Sequence, residues 1–322
     1  MNKPSFTSNW AAVLSRFCET KKALGFDYQT GILYLLQLDR HLAAPENRGT
    51  PFYELVKRWI GKRDNEGANT HRVRISPIRE FIKYLISIGH PDGFALPNKL
   101  CQKQQRPVPH FFTPEEIRKF FVACDTLKPR KENPVRHFVL PTYFRLLYCC
   151  GLRTCEARLL KRADVNLEDG YLRVIHSKGP KDRIVYLSDD LIRLLRKYDN
   201  VVDELMPARA YFFPSTRDTC YGSNAISTNF KKIWRLANIG PSDGSKPRAY
   251  DFRHNFAIAN INRCVENGQD PNGLLPYLMR CMGHSTVEST LYYVHLVPHF
   301  FPVVAEQLRF LDVIIPEVDE NE

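Results

Sequence analysis

The sequence predicts a mainly α-helical protein with one small antiparallel β-sheet, in two domains that meet near residue 110. Three observations carry this. Residues 8–90 place apolar side chains at helical spacing almost without interruption. Residues 91–112 set Pro91, Pro97, Pro107 and Pro109 among Lys99, Lys103 and Arg106, the composition of an extended, exposed connector. Helical patterns then return, and residues 171–175 and 183–187 read as strands around a turn containing Gly179 and Pro180.

Taken in order, Trp10, Val13, Leu14 and Phe17 form the apolar stripe of a first helix, and Ile32, Leu35, Leu36 and Leu42 that of a second. A third begins with Thr50 as cap and Pro51 in its first turn, and carries Phe52, Leu55, Val56, Trp59 and Ile60. The fourth sets Ile75, Ile78, Ile82 and Leu85 against Arg72, Arg74, Arg79 and Lys83, and Gly89 ends it. No acid falls between Arg72 and Arg79, which favours a nucleic-acid face over a merely solvated one. Thr113-Pro114-Glu115-Glu116 is a capping box that opens the second domain. Cys149 and Cys150 are expected in a core helix, Ser188 caps a helix bearing Leu191, Leu194 and Leu195, and residues 210–213 read as a further strand. The division is therefore 1–110 and 111–322, with a tail from about 300.

The 322 residues carry a net charge of +11, which favours a polyanionic partner. Residues 1–110 hold 17 Lys and Arg against 9 Asp and Glu, whereas residues 303–322 hold six acids and the single base Arg309. The nine cysteines include no Cys-x-x-Cys pair, so neither a disulfide framework nor a zinc site is expected. Reduced thiols, no leader and no apolar run of membrane-spanning length point to a cytoplasmic, nucleoid-associated protein. No Walker loop or acidic metal cluster occurs, so no cofactor and no metal are expected.

Residues 282–295 read as a glycine turn, a histidine and a short helix, with Ser285 or Thr286 as cap, Glu288 in the first turn and tyrosines near the end. A phenol is a weak nucleophile at neutral pH, so a reactive tyrosine needs cations close by. Upstream stand Arg153 in Gly-Leu-Arg-Thr-Cys-Glu-Ala, Lys178 in the strand-connecting turn, and Arg253 in Tyr-Asp-Phe-Arg-His.

This ordered set resembles the tyrosine recombinases, the phage-integrase family. The resemblance implies that Arg153 and Arg253 clamp the phosphate and that Glu156 orients Arg153. It gives Lys178 the role of general acid, with Lys181 as the competing assignment. His284 would hydrogen-bond the phosphate and His254 brace the fold. Tyr250 stands where most members carry His or Lys. Tyr293 would be the nucleophile, since a histidine follows it after one residue, and Tyr292 would pack. The resemblance further implies a clamp of a helical core-binding domain and a catalytic domain, with Arg72, Arg74, Arg79 and Lys83 on DNA. The expected partners are double-stranded DNA sites and three further copies in a tetramer, with exchange through a Holliday junction and no membrane. An accessory recombinase or directionality factor stays open, as does the choice among integration, excision and resolution. The apolar residues about 299–315 would pack in their own domain or dock on a neighbour. Type IB topoisomerase-like relaxation and a catalytically silent DNA-binding relative are the rival readings.

Overall fold

The computed structural model describes residues 5–97, 100–101, 109–175, 182–216, 219–240, 246–286 and 288–294. The chain divides into two compact units, Met1–Pro107 and Val108–Glu322.

In the first unit α1 (Ala11–Ala23), α2 (Gln29–Ala43), α3 (Phe52–Ile60) and α4 (Ala68–Ser87) bury Leu14, Phe17, Leu35, Leu38, Val56, Ile78, Phe81 and Leu85 in one core. Trp10 stacks on Phe52 with ring centroids 3.8 Å apart. The buried Asp39 carboxylate accepts from the Thr7 backbone N–H at 2.6 Å and the Ser8 hydroxyl at 2.5 Å, tying the entry of the chain to α2.

Two expectations are corrected here. Pro51, not Thr50, is the residue that leads into α3, and no side chain caps that helix. Arg74 does not share the basic face of α4. It is 1% exposed, with its guanidinium on the Glu66 carboxylate at 2.7 Å, on the Gly61 carbonyl at 2.8 Å and on the Trp59 carbonyl. Arg72, Arg79 and Lys83, spaced by seven and four residues, fall on one helical face, while Arg74 points about 200° away from Arg72. Arg72 and Lys83 are exposed and Arg79 is half-buried, reaching the Pro97 carbonyl at 3.2 Å.

The second unit contains α5 (Pro114–Asp125), α6 (Arg136–Cys150), α7 (Thr154–Leu159), β1 (Val165–Asn166), β2 (Tyr171–Val174), β3 (Arg183–Tyr186), α8 (Asp189–Leu205), α9 (Ser223–Leu236), α10 (Asp251–Glu266), α11 (Pro271–Met282) and α12 (Glu288–Val294). Its core gathers Phe120, Phe144, Phe230 and Phe252. The sheet is antiparallel in the order β1-β2-β3, with Leu172 opposite Val185 and Val174 opposite Arg183.

The capping box forms: Thr113 accepts from the Glu116 N–H and Glu116 from the Thr113 N–H. Ser188 leads into α8 without a side-chain cap; Asp189 and Asp190 in the first turn instead place negative charge at the positive end of the helix. Residues 210–213 make only an isolated bridge, Lys161 to Tyr211, because Phe212 and Phe213 both turn into the core. β1 pairs with β2 through two residues, too few to leave a periodic signal. Cys150 is buried in α6, but Cys149 is exposed.

Candidate active site

Two glycine turns frame the site. Gly151 ends α6 at φ +60° and Gly283 ends α11 at φ +65°, a region that a side chain makes costly. Both are also crowded. A Cβ at Gly151 would lie 2.4 Å from the Phe256 ring, and one at Gly283 would lie 2.7 Å from the Arg183 guanidinium.

The backbone carbonyls of these turns hold the arginines. Arg153 precedes α7, donates to the Gly283 carbonyl at 2.7 Å and meets Glu156 Oε1 at 2.6 Å. Arg253 lies in the first turn of α10, anchored by the buried Phe252 beside it. It donates to the Gly151 carbonyl at 2.8 Å and the Met282 carbonyl at 2.6 Å. Among the described residues its buried Nε–H has no hydrogen-bond partner, which leaves one donor uncommitted there. Burial, and then the Arg153 charge, push its pKa down from the usual arginine range.

Glu156 is the hub. Its two oxygens take the Arg183 guanidinium bidentately at 2.9 and 2.7 Å, and Oε2 also accepts from the Arg153 N–H at 2.8 Å. Burial opposes the charged carboxylate. The hydrogen bonds and charge of Arg183, with the hydrogen bonds of Arg153, outweigh it and hold the carboxyl below its ordinary pKa.

His284 follows the Gly283 turn, and its Nδ1 lies 2.7 Å from the Thr290 hydroxyl of α12. Burial, then Arg253, Arg153 and Arg183, lower its pKa to about 4, so the imidazole is neutral at pH 7. Tyr293 is 3% exposed, its ring stacked with that of His284 at 6.0 Å and 5.5 Å from that of His254. The Tyr293 phenol also lies close enough to interact with the Arg253 charge. Burial lowers the His254 pKa to about 4 as well. Tyr250, 39% exposed, lies 5.2 Å from His254 ring to ring.

The structure thus brings together Arg153, Glu156, Arg253, His254, His284, Tyr250 and Tyr293. Lys178 and its competitor Lys181 lie outside the described residues, as do the side chain of Tyr292 and the segment 295–322. Around the helix start expected at Ser285 or Thr286, the Thr286 hydroxyl meets that of Ser289 at 3.1 Å. Sequence reasoning missed Arg183 and Thr290. Arg183 had a signal, since alternation along β3 puts it on the same buried face as Val185. Thr290 had none.

Among the described residues no group of three or more His, Cys, Asp or Glu could hold a metal ion, and no helix is long and apolar enough to cross a membrane.

Known proteins resemble the chain in sequence and in fold. The phage integrase family matches residues 110–299. A Sinorhizobium fredii protein named as a provisional integrase/recombinase, y4rE, is 27% identical over 307 residues, covering 93% of this chain and 95% of its own. The tyrosine recombinase XerC of Chlorobaculum parvum is 26% identical, covering 75% of this chain and 74% of its own. Among solved structures, a lambda integrase tetramer bound to a Holliday junction superposes with a TM-score of 0.60 at 17% identity, covering 90% of this chain and 78% of that one. With the family matched over more than half of its length, the chain belongs to the phage integrase family of tyrosine recombinases.

Proposed function

We propose that this chain cuts and rejoins DNA at defined sites, with Tyr293 as nucleophile and a 3′-phosphotyrosine as intermediate. The Tyr293 oxygen attacks the scissile phosphorus, the bond to the 5′ oxygen breaks, and Lys178 protonates that leaving oxygen. The two neutral imidazoles against the Tyr293 ring, His254 and His284, are the proton acceptors at hand. Arg153 and Arg253 stabilise the charge that grows on the non-bridging oxygens, which is the largest effect a preorganised site can supply. The phosphodiester energy is kept in the covalent link, so rejoining needs only attack by a 5′ hydroxyl.

One observation carries the reading. A hydrogen bond across 130 residues ties Arg153 to the turn preceding His284, while the buried Tyr293 ring sits against that histidine. Exposed Arg72 and Lys83 on α4, with Arg79, supply a basic face for DNA. The working form is a tetramer that brings two duplexes together; a lambda integrase tetramer was solved bound to a Holliday junction. The reaction serves a mobile element by integration, excision or resolution.

The test incubates the chain with two labelled duplexes drawn from the DNA flanking its gene. Recombinant duplexes are expected, and Arg153→Ala and Arg253→Ala each abolish them. Relaxation of a supercoiled plasmid that lacks those flanks, without strand exchange, would instead mark a topoisomerase.

A further inference from the structure

We propose that Arg183 is a positioning residue for the phosphate clamp, keeping Arg153 charged toward the substrate and in place. The inference rests on the function proposed above and deepens it.

Arg183 opens β3 on its buried face, and all of its described contacts lie within the site. Its Nε–H donates to the Cys281 carbonyl at 2.8 Å, one turn before His284, and its two terminal nitrogens take both oxygens of Glu156. Glu156 in turn holds Arg153, and Arg153 donates to the Gly283 carbonyl. The four groups close a ring: β3 to α7, α7 to the glycine turn, the turn to α11, and α11 back to β3. The Arg183 guanidinium also fills the space a side chain at residue 283 would need, so the turn and this arginine are fitted to each other.

Charge shows what the ring does. Glu156 alone would neutralise Arg153 and, being a carboxylate, would take its guanidinium in a bidentate fork. Arg183 already occupies both oxygens, which limits the Arg153 guanidinium to one contact at Oε1 and leaves its other terminal nitrogen for Gly283. With Arg153, Arg183 and Arg253 against Glu156, and His284 neutral, the cluster carries about +2, matching the doubly negative phosphorane of the transition state. Without Arg183 it would carry about +1, with Arg153 drawn back onto Glu156. A lysine cannot reproduce the arrangement, because its ammonium cannot serve both carboxylate oxygens and the Cys281 carbonyl in one plane.

The test uses the full chain and a nicked duplex from the DNA flanking its gene, chosen because the wild type forms a covalent adduct on it. A second duplex has a methylphosphonate at the scissile position, which removes one negative charge from the group being clamped. Arg183→Gln is expected to slow adduct formation about 10- to 100-fold on the phosphodiester, with DNA affinity within about twofold of wild type. On the methylphosphonate the defect should shrink several-fold, and that of Arg153→Ala should shrink likewise, because both variants lack charge stabilisation. Where Arg183→Gln melts too low to assay, Arg183→Lys carries the same comparison with a smaller defect. An equal loss on both duplexes would mean that Arg183 merely supports the fold, and no loss would mean that it does nothing for the clamp; either result overturns the inference. Absence of wild-type adduct on every flanking duplex is a different failure, that of the function reading itself.

Discussion

His254 and His284 flank the Tyr293 ring, and both are neutral because burial, with the neighbouring arginines, lowers their pKa to about 4 from 6.5. Between those values the unfolded chain binds protons that the folded chain refuses, so stability is lost as pH falls from about 6.5 toward 4. Thermal unfolding of the full chain at pH 7 and pH 4.5 is expected to show the drop, and His254→Gln, which cannot titrate, should flatten it. An unchanged slope in that variant would place the titrating groups elsewhere. Arg74 makes the complementary case. It looked like its neighbours on α4, because a run of basic residues in sequence does not say which of them is inside. Helical spacing does say it: Arg72, Arg79 and Lys83 agree in phase and Arg74 does not. Arg74→Ala strands the Glu66 carboxylate, and is expected to cost about 3 kcal/mol in denaturant unfolding. Arg72→Ala and Lys83→Ala should leave stability within about 0.5 kcal/mol and weaken DNA binding instead.

At the scale of elements, the features legible in sequence were those with a local cause. The Thr113 capping box, the α1 to α4 stripes and the two main strands each follow from neighbours a few residues apart. Residue type alone did not fix the start of α3 or the uncapped start of α8, and Phe212 and Phe213 went to the core rather than to a strand. The same division holds in the site. The boxes around Arg153, Arg253 and Tyr293 could be read, but the link from Arg183 through Glu156 to Cys281 joins segments far apart in the chain. Glycine turns offer the sharpest test of that link. Gly283→Ala forces a Cβ against Arg183 and a side chain into positive φ, about 1–2 kcal/mol from the backbone alone. Its melting temperature should fall by about 2–4 °C per kcal/mol, and adduct formation should fall further than that loss explains. Thr113→Ala, remote from the chemistry, should lose about 1 kcal/mol and keep full adduct formation.

Over the whole molecule, a net charge of +11 concentrated toward residues 1–110 gives DNA binding a large electrostatic share, so affinity should fall steeply as salt rises. Each of the two units has its own buried core, which supports Met1–Pro107 folding alone. All residues placed in the chemistry belong to the second unit, and their convergence there joins α6, α7, β3, α10, α11 and α12 around one tyrosine. We expect this tyrosine, Tyr293, to become covalently attached to DNA. The most direct measurement incubates the wild type, Tyr293→Phe and Tyr292→Phe with a nicked duplex from the flanking DNA, in EDTA, and looks for an SDS-resistant protein–DNA adduct. An adduct is expected with the wild type and with Tyr292→Phe, and none with Tyr293→Phe. An adduct that survives Tyr293→Phe, or one lost only in Tyr292→Phe, would contradict it.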